Sequence, residues 1–224
     1  LKEYRIKIYE EASQVIKELG ILPLATLVPQ YPSLDSMTSK EDWHTGSEFD
    51  PWLWRAMFPA EGTAAYGKFL KKKSVLISKE VLPLVRAVLG SKESIEKRYS
   101  DGLVSREALE LYKLIREEEG IDTRVLREKA GMKDKEKKKV FDQALVELQG
   151  SIDIVVAGTK EKTNDIGEKN GWSSSSFETM DHWATMNNVS KVPSLIEAKS
   201  ALKNHLEKVS NQEAMKAFNK IFKF

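Results

Sequence analysis

Residues 105–156 read SREALELYKLIREEEGIDTRVLREKAGMKDKEKKKVFDQALVELQGSIDIVV, in which three periodic apolar segments follow one another before a β-branched run. Ser105 is placed to cap a helix carrying Ala108, Leu111, Tyr112, Leu114 and Ile115 on its inner face, with Gly120 as the stop. Asp122 or Thr123 opens a second, shorter helix containing Val125, Leu126 and Ala130, closed by Gly131. A third helix is expected from about Asp134 to Gln149, with Val140, Phe141, Ala144, Leu145 and Leu148 on one stripe. Ile152, Ile154, Val155 and Val156 then read as a strand, and a polar loop from Thr159 to Gly171 leads to a return strand around Ser174 to Phe177. Three helices followed by a β-hairpin with a long loop is the order of a winged helix-turn-helix. The chain is therefore expected to be α+β and mainly helical, with a winged helix in its C-terminal half and a mixed helical N-terminal half.

Upstream, Ile8, Ala12, Val15, Ile16 and Leu19 recur at helical spacing and Gly20 ends the run. Leu19 to Leu34 carries no charge but holds Gly20, Pro23, Pro29 and Pro32, so it reads as a connector and not as a membrane span. Asp50-Pro51 reads as an N-cap with proline in the first turn of a short helix ending near Pro59. Thr63 to Phe69 and Val75-Leu76-Ile77 are strand candidates, and Ser78 is expected to cap a helix over Glu80 to Leu89. The polar stretch Ser91 to Gly102 is read as a boundary, which divides the chain into 1–100, a winged helix domain at 101–180, and C-terminal helices at 181–224 that pack back on the core. The last part holds helical stripes over Ser194 to Lys208 and Asn211 to Phe222. No internal repeat is visible.

The 224 residues include 36 Lys and Arg against 34 Asp and Glu, with 41% hydrophobic residues and no cysteine. Disulfide frameworks, cysteine zinc sites and thiol nucleophiles are excluded. No secretory pattern opens the sequence, and a soluble, cytoplasmic protein is expected. There is no phosphate-binding glycine loop, nucleophile elbow, HExxH pair or dinucleotide fingerprint, and no cofactor or metal is expected.

Charge is distributed unevenly. Residues 1–60 hold 6 basic and 9 acidic side chains, whereas residues 61–98 hold 9 and 4, with Lys68, Lys71, Lys72 and Lys73 at the peak. Such a patch concentrates nucleic-acid phosphates. On the third helix, the apolar stripe leaves Lys135, Lys138, Lys139 and Gln143 outside, where lysines suit phosphates and a glutamine suits an adenine edge. Lys71, Lys72, Lys73, Lys135, Lys138, Lys139 and Gln143 are thus the candidate DNA contacts. The alternatives are a solvated face, a non-enzymatic winged-helix regulator, or a protein-interaction module.

A second candidate site is acidic and aromatic. Asp42, Trp43, His44, Glu48, Asp50, Trp52, Trp54 and Arg55 place three of the five tryptophans within a short segment, as a pocket that stacks a base beside a water-polarising carboxylate would require. The plain alternative is that the tryptophans are core and Asp50 is a cap, in which case Asp50→Ser leaves stability nearly unchanged.

Asp50-Pro51-Trp52-Leu53-Trp54-Arg55, Ala65-Tyr66-Gly67-Lys68-Phe69, Ile77-Ser78-Lys79-Glu80, Tyr99-Ser100-Asp101-Gly102-Leu103-Val104-Ser105-Arg106 and Gly171-Trp172 resemble a bacterial family related to the AlkZ-type DNA glycosylases. The resemblance runs over roughly residues 1–185. It implies tandem winged helices, duplex DNA as partner, and a link to alkylation or crosslink repair. Those glycosylases carry a Gln-x-Gln or Gln-x-Asp motif that positions the attacking water. Here Gln14, Gln30, Gln143, Gln149 and Gln212 each lack a Gln or Asp two residues on, so that motif is carried over to no residue.

Overall fold

The computed structural model describes residues 4–160 and 173–224. A first unit runs α1 (Tyr9–Leu19), β1 (Ile21–Pro23), α2 (Leu34–Met37), a 3-10 turn (Lys40–Asp42), α3 (Pro51–Ala60), β2 (Ala64–Leu70) and β3 (Lys73–Ser78). Two helices follow, α4 (Leu82–Leu89) and α5 (Ile95–Ser100). The second unit runs α6 (Arg106–Glu117), β4 (Ile121–Asp122), α7 (Thr123–Lys129), a 3-10 turn (Lys135–Lys137), α8 (Lys138–Gly150), β5 (Ile154–Lys160) and β6 (Ser174–Thr179). α9 (Met180–Met186), α10 (Leu195–Val209) and α11 (Gln212–Phe222) complete the described chain. The fold is α+β, and its strands form one six-stranded antiparallel sheet in the order β1-β3-β2-β5-β6-β4.

Helix, strand, two helices and hairpin occur in the same order in both units, and the strand order reads equivalently from either edge. The units meet where β2 pairs with β5 through Tyr66 and Val156. The repetition is one of architecture that the sequence does not display.

Local chemistry explains most element limits. Ser105 Oγ accepts from the Ala108 N–H at 3.2 Å to start α6, and Asp122 Oδ1 accepts from the Arg124 and Val125 N–H groups at 2.7 and 3.1 Å to start α7. Ser194 and Glu197 form a reciprocal capping box at the start of α10. The apolar stripes are buried: Ile16 and Leu19 of α1, Leu111 and Ile115 of α6, Phe141 and Leu148 of α8, Leu202 and Leu206 of α10, and Phe218 and Phe222 of α11 belong to one contiguous core. α10 lies against α4 and α1.

Several expectations need correction. The proline-bearing connector contains β1, whose Ile21 and Leu22 pair with Ile77 and Leu76 on the sheet edge, a position that tolerates Pro23. The polar stretch 91–102 contains α5, which buries Ile95 and aims Arg98 at Asp153 with a 2.6 Å ion pair. α4 starts at Leu82 after Val81, two residues later than expected, and Ser78 Oγ accepts from the Val81 N–H at 3.4 Å, just ahead of the helix and not within its first turn. Val140 is exposed at the edge of its stripe. Most of the expected polar loop from Thr159 to Gly171, and Trp172 of the Gly171-Trp172 pair, lie outside the described residues. Among those described, no helix is long and apolar enough to cross a membrane.

Candidate nucleic-acid interface

The exposed side of α8 faces the tip of the β2–β3 hairpin, and a buried glutamine sets their spacing. Gln149 sits near the end of the buried stripe of α8; its Nε2 donates to the Leu145 carbonyl and its Oε1 accepts from the Lys68 backbone N–H, both at 2.9 Å. The Lys68 amide lies just past the Tyr66–Val156 pair, so a side chain continues the ladder where the strand pairing stops. From the opposite side, Glu147 accepts from the Ser105 N–H at 2.9 Å and from its hydroxyl at 2.6 Å, tying α8 to the start of α6.

Between these walls runs an open groove of about 960 Å³, lined by Lys68 and Lys72 from the hairpin and by Lys135, Lys138, Lys139 and Gln143 from α8 and its preceding turn. The two basic segments that stand far apart in the chain are brought together. Lys71 and Lys73 are exposed on the same hairpin but do not line the groove. Of the acidic residues on its wall, Asp142 is paired to Lys138 at 2.8 Å and Glu147 is held by Ser105. Lys68, Lys72, Lys135 and Lys139 have no carboxylate partner among the described residues. Unpaired ammonium groups around a concavity produce a positive field that attracts phosphate.

The hairpin tip departs from turn preferences. Lys71 and Lys72 form its two-residue turn with φ of 49° and 61°, the left-handed geometry of a type I′ turn, where Asn-Gly is favoured. Each non-glycine residue there is destabilising by about 1 kcal/mol. A turn that keeps lysines at such a cost places charge at the mouth of the groove.

The aromatic cluster is only partly convergent. His44 and Trp52 have ring centroids 4.9 Å apart, Trp43 lies 6.2 Å from His44, and the Arg55 guanidinium stacks 3.6 Å over the Trp52 ring. Trp54 is core, with its indole N–H donating to the Glu48 carbonyl at 2.8 Å, and the Trp43 indole donates to Thr38 Oγ1 at 2.9 Å. Asp50 is buried and occupied on both oxygens: Oδ1 accepts from the His44 and Trp52 N–H groups at 3.0 and 2.9 Å, and Oδ2 from the Gly46 N–H at 3.0 Å. It fixes the loop before α3 as well as capping the helix. Asp42 and Glu48 line separate cavities, Asp42 beside Met37 and Thr38, Glu48 beside Tyr9 and Met57.

Lys68 lines the groove and Gln149 braces its hairpin wall; the sequence placed Lys68 in the basic patch but not among the candidate DNA contacts, and did not single out Gln149 for the site. Lys68 had a signal, as the exposed member of the alternation Tyr66-Gly67-Lys68. Gln149 had one too, as a polar residue four places after Leu145 on a buried stripe.

Neither a curated protein nor a solved structure matches the chain. A family model described as AlkZ related matches residues 6–223. By that match over nearly its whole length, the chain belongs to the AlkZ-related family.

Proposed function

We propose that this protein binds duplex DNA through the groove between α8 and the β2–β3 hairpin. The second unit is read as a winged helix, with α6, α7 and α8 as its three helices, β4, β5 and β6 as its small sheet, and α8 as the helix presented to DNA. The observation that carries this reading is the convergence of Lys68 and Lys72 with Lys135, Lys138 and Lys139 on one open groove. Lysine contacts to phosphate supply affinity, and Gln143 on the same wall supplies a base-reading amide. Membership of the AlkZ-related family favours a role in alkylation or crosslink repair.

With about four phosphate contacts, log affinity against log salt should slope at about −3 to −4. Lys138→Glu/Lys139→Glu should lose much of the low-salt binding in a titration of labelled duplex. Indistinguishable titrations of wild type and double variant would instead favour a protein-interaction module, the second reading, to which the exposed Trp52, Leu53 and Met57 of α3 contribute. Release of alkylated base from treated DNA by the wild-type protein tests the repair assignment separately: release above background is expected of a glycosylase, and its absence leaves a binder.

A further inference from the structure

Arg55 lies on α3, outside the lining of the cationic groove. Its guanidinium carbon is 3.6 Å from the centre of the Trp52 ring and 6.0 Å from that of Tyr66. The side chain is half-buried, its Nε is shielded from solvent without an acceptor, and no carboxylate pairs with it among the described residues. Burial draws its pKa below the ordinary arginine value, against the smaller opposing influence of Tyr66 and Asp50. A partly desolvated cation with no directly paired carboxylate is unfavourable, and a ring stacked over the guanidinium carbon leaves its N–H donors to find a partner.

Tyr66 connects this group to the basic region. Tyr66, Lys68 and Gln149 line a cavity of about 310 Å³ at the seam between β2 and β5, and Lys68 also lines the large groove. Lys72, Lys68, Tyr66 and Arg55 all belong to the first unit, and the α8 residues Asp142, Leu145, Val146 and Gln149 line the same seam cavity as Tyr66 and Lys68, so the seam joins α8 to the neighbourhood of α3.

We propose that Arg55 is a backbone-phosphate contact for a DNA strand that leaves the groove across the β2–β5 seam, so that the footprint covers both units. The proposal rests on the DNA reading of the groove. A guanidinium held flat on an indole presents its N–H groups as a fixed fork, which matches the paired oxygens of a phosphate.

The test is a salt series of duplex titrations for wild type, Arg55→Gln and Arg55→Lys, with a thermal melt of each. Arg55→Gln should bind about tenfold more weakly at low salt, as loss of a charge-assisted contact implies, and its salt slope should be shallower by about 0.9. Arg55→Lys should keep the wild-type slope, since the charge remains. The melting temperature of Arg55→Gln should stay level or rise, because an uncompensated charge is removed. A wild-type slope for Arg55→Gln, with or without weaker binding, would overturn the phosphate assignment while leaving the groove intact. A lowered melting temperature with unchanged binding would assign Arg55 to packing alone. A wild-type protein that binds no duplex at low salt would overturn the groove reading itself, and this assignment with it.

Discussion

The two units of the sheet share an order of elements and differ in what their third helices show to solvent. α8 exposes Lys138, Lys139, Asp142 and Gln143, whereas α3 exposes Trp52, Leu53 and Met57. What they keep in common is buried or conformational. Phe58 and Leu148 are each fully buried near the ends of their helices, and each helix is followed by a turn residue at positive φ, Gly62 at 70° and Ile152 at 59°. Buried apolar positions and a forced turn hold the architecture, and the outer face is left to diverge in chemistry. α8 supplies cations, and α3 an aromatic surface with a single stacked guanidinium.

The strongest way to break this comparison is through those equivalent core positions. Phe58→Ala should cost about 3–5 kcal/mol and Leu148→Ala about 2–5 kcal/mol. Because both side chains belong to one contiguous core, each substitution should lower the midpoint of the same single unfolding transition in urea. Two transitions, each moved by only one of the substitutions, would show the units to be independent.

The caps sharpen it at a smaller scale. Asp122 takes both backbone donors on Oδ1, a role serine can keep, while its Oδ2 pairs at 3.3 Å with the partly exposed Arg124 guanidinium, so Asp122→Ser should cost about 1 kcal/mol. Asp50 serves three backbone donors with two oxygens, and serine cannot reach both the Gly46 and Trp52 amides. Asp50→Ser is therefore expected to cost about 2–3 kcal/mol, measured by chemical denaturation, in contrast to the near-neutral outcome that the bare Asp-Pro pattern suggests. Equal costs at the two positions would show that the loop before α3 does not depend on Asp50.

The hairpin tip gives an effect on stability as small as that of Asp122, and one opposite in sign to its effect on binding. Lys71→Asn/Lys72→Gly places preferred residues in the left-handed turn and should stabilise the fold by about 1 kcal/mol. The same double variant should weaken duplex binding several-fold at low salt, since Lys72 leaves the groove. A gain in stability with unchanged binding would remove the hairpin from the interface.

The contrast between the units also explains what could be read in the sequence. α6, α7, α8, α10 and α11 were legible because each carries an apolar stripe at helical spacing, with a polar cap and a glycine stop marking α6 and α7. The first unit was harder. β1 and α2 have three and four residues, too short for a period to register, and prolines surround them. The repeat itself was hidden because equivalent places hold unlike residues, phenylalanine for leucine at one and glycine for isoleucine at another. At the candidate site, individual lysines stood out, but their convergence depends on a hydrogen bond between residues 81 apart, Gln149 and Lys68. No local pattern encodes that distance. Asp50 shows the same limit, since its N-cap role follows from the following proline while its grip on Gly46 and His44 exists only once the loop has closed.

The sheet's outline has a further consequence. Its edges are its shortest strands, β1 with three residues ending in Pro23 and β4 with two, while β2 and β5 at the centre have seven each. Another chain arriving at either rim finds almost no free ladder to copy, which is how natural sheets discourage edge-to-edge aggregation. The long, largely apolar templates face each other across a seam closed by the Tyr66–Val156 pair and the Gln149 side chain. Self-association into fibrils would thus begin with the molecule parting down its middle, and substitutions that loosen Gln149 should promote aggregation more than any change at the rims.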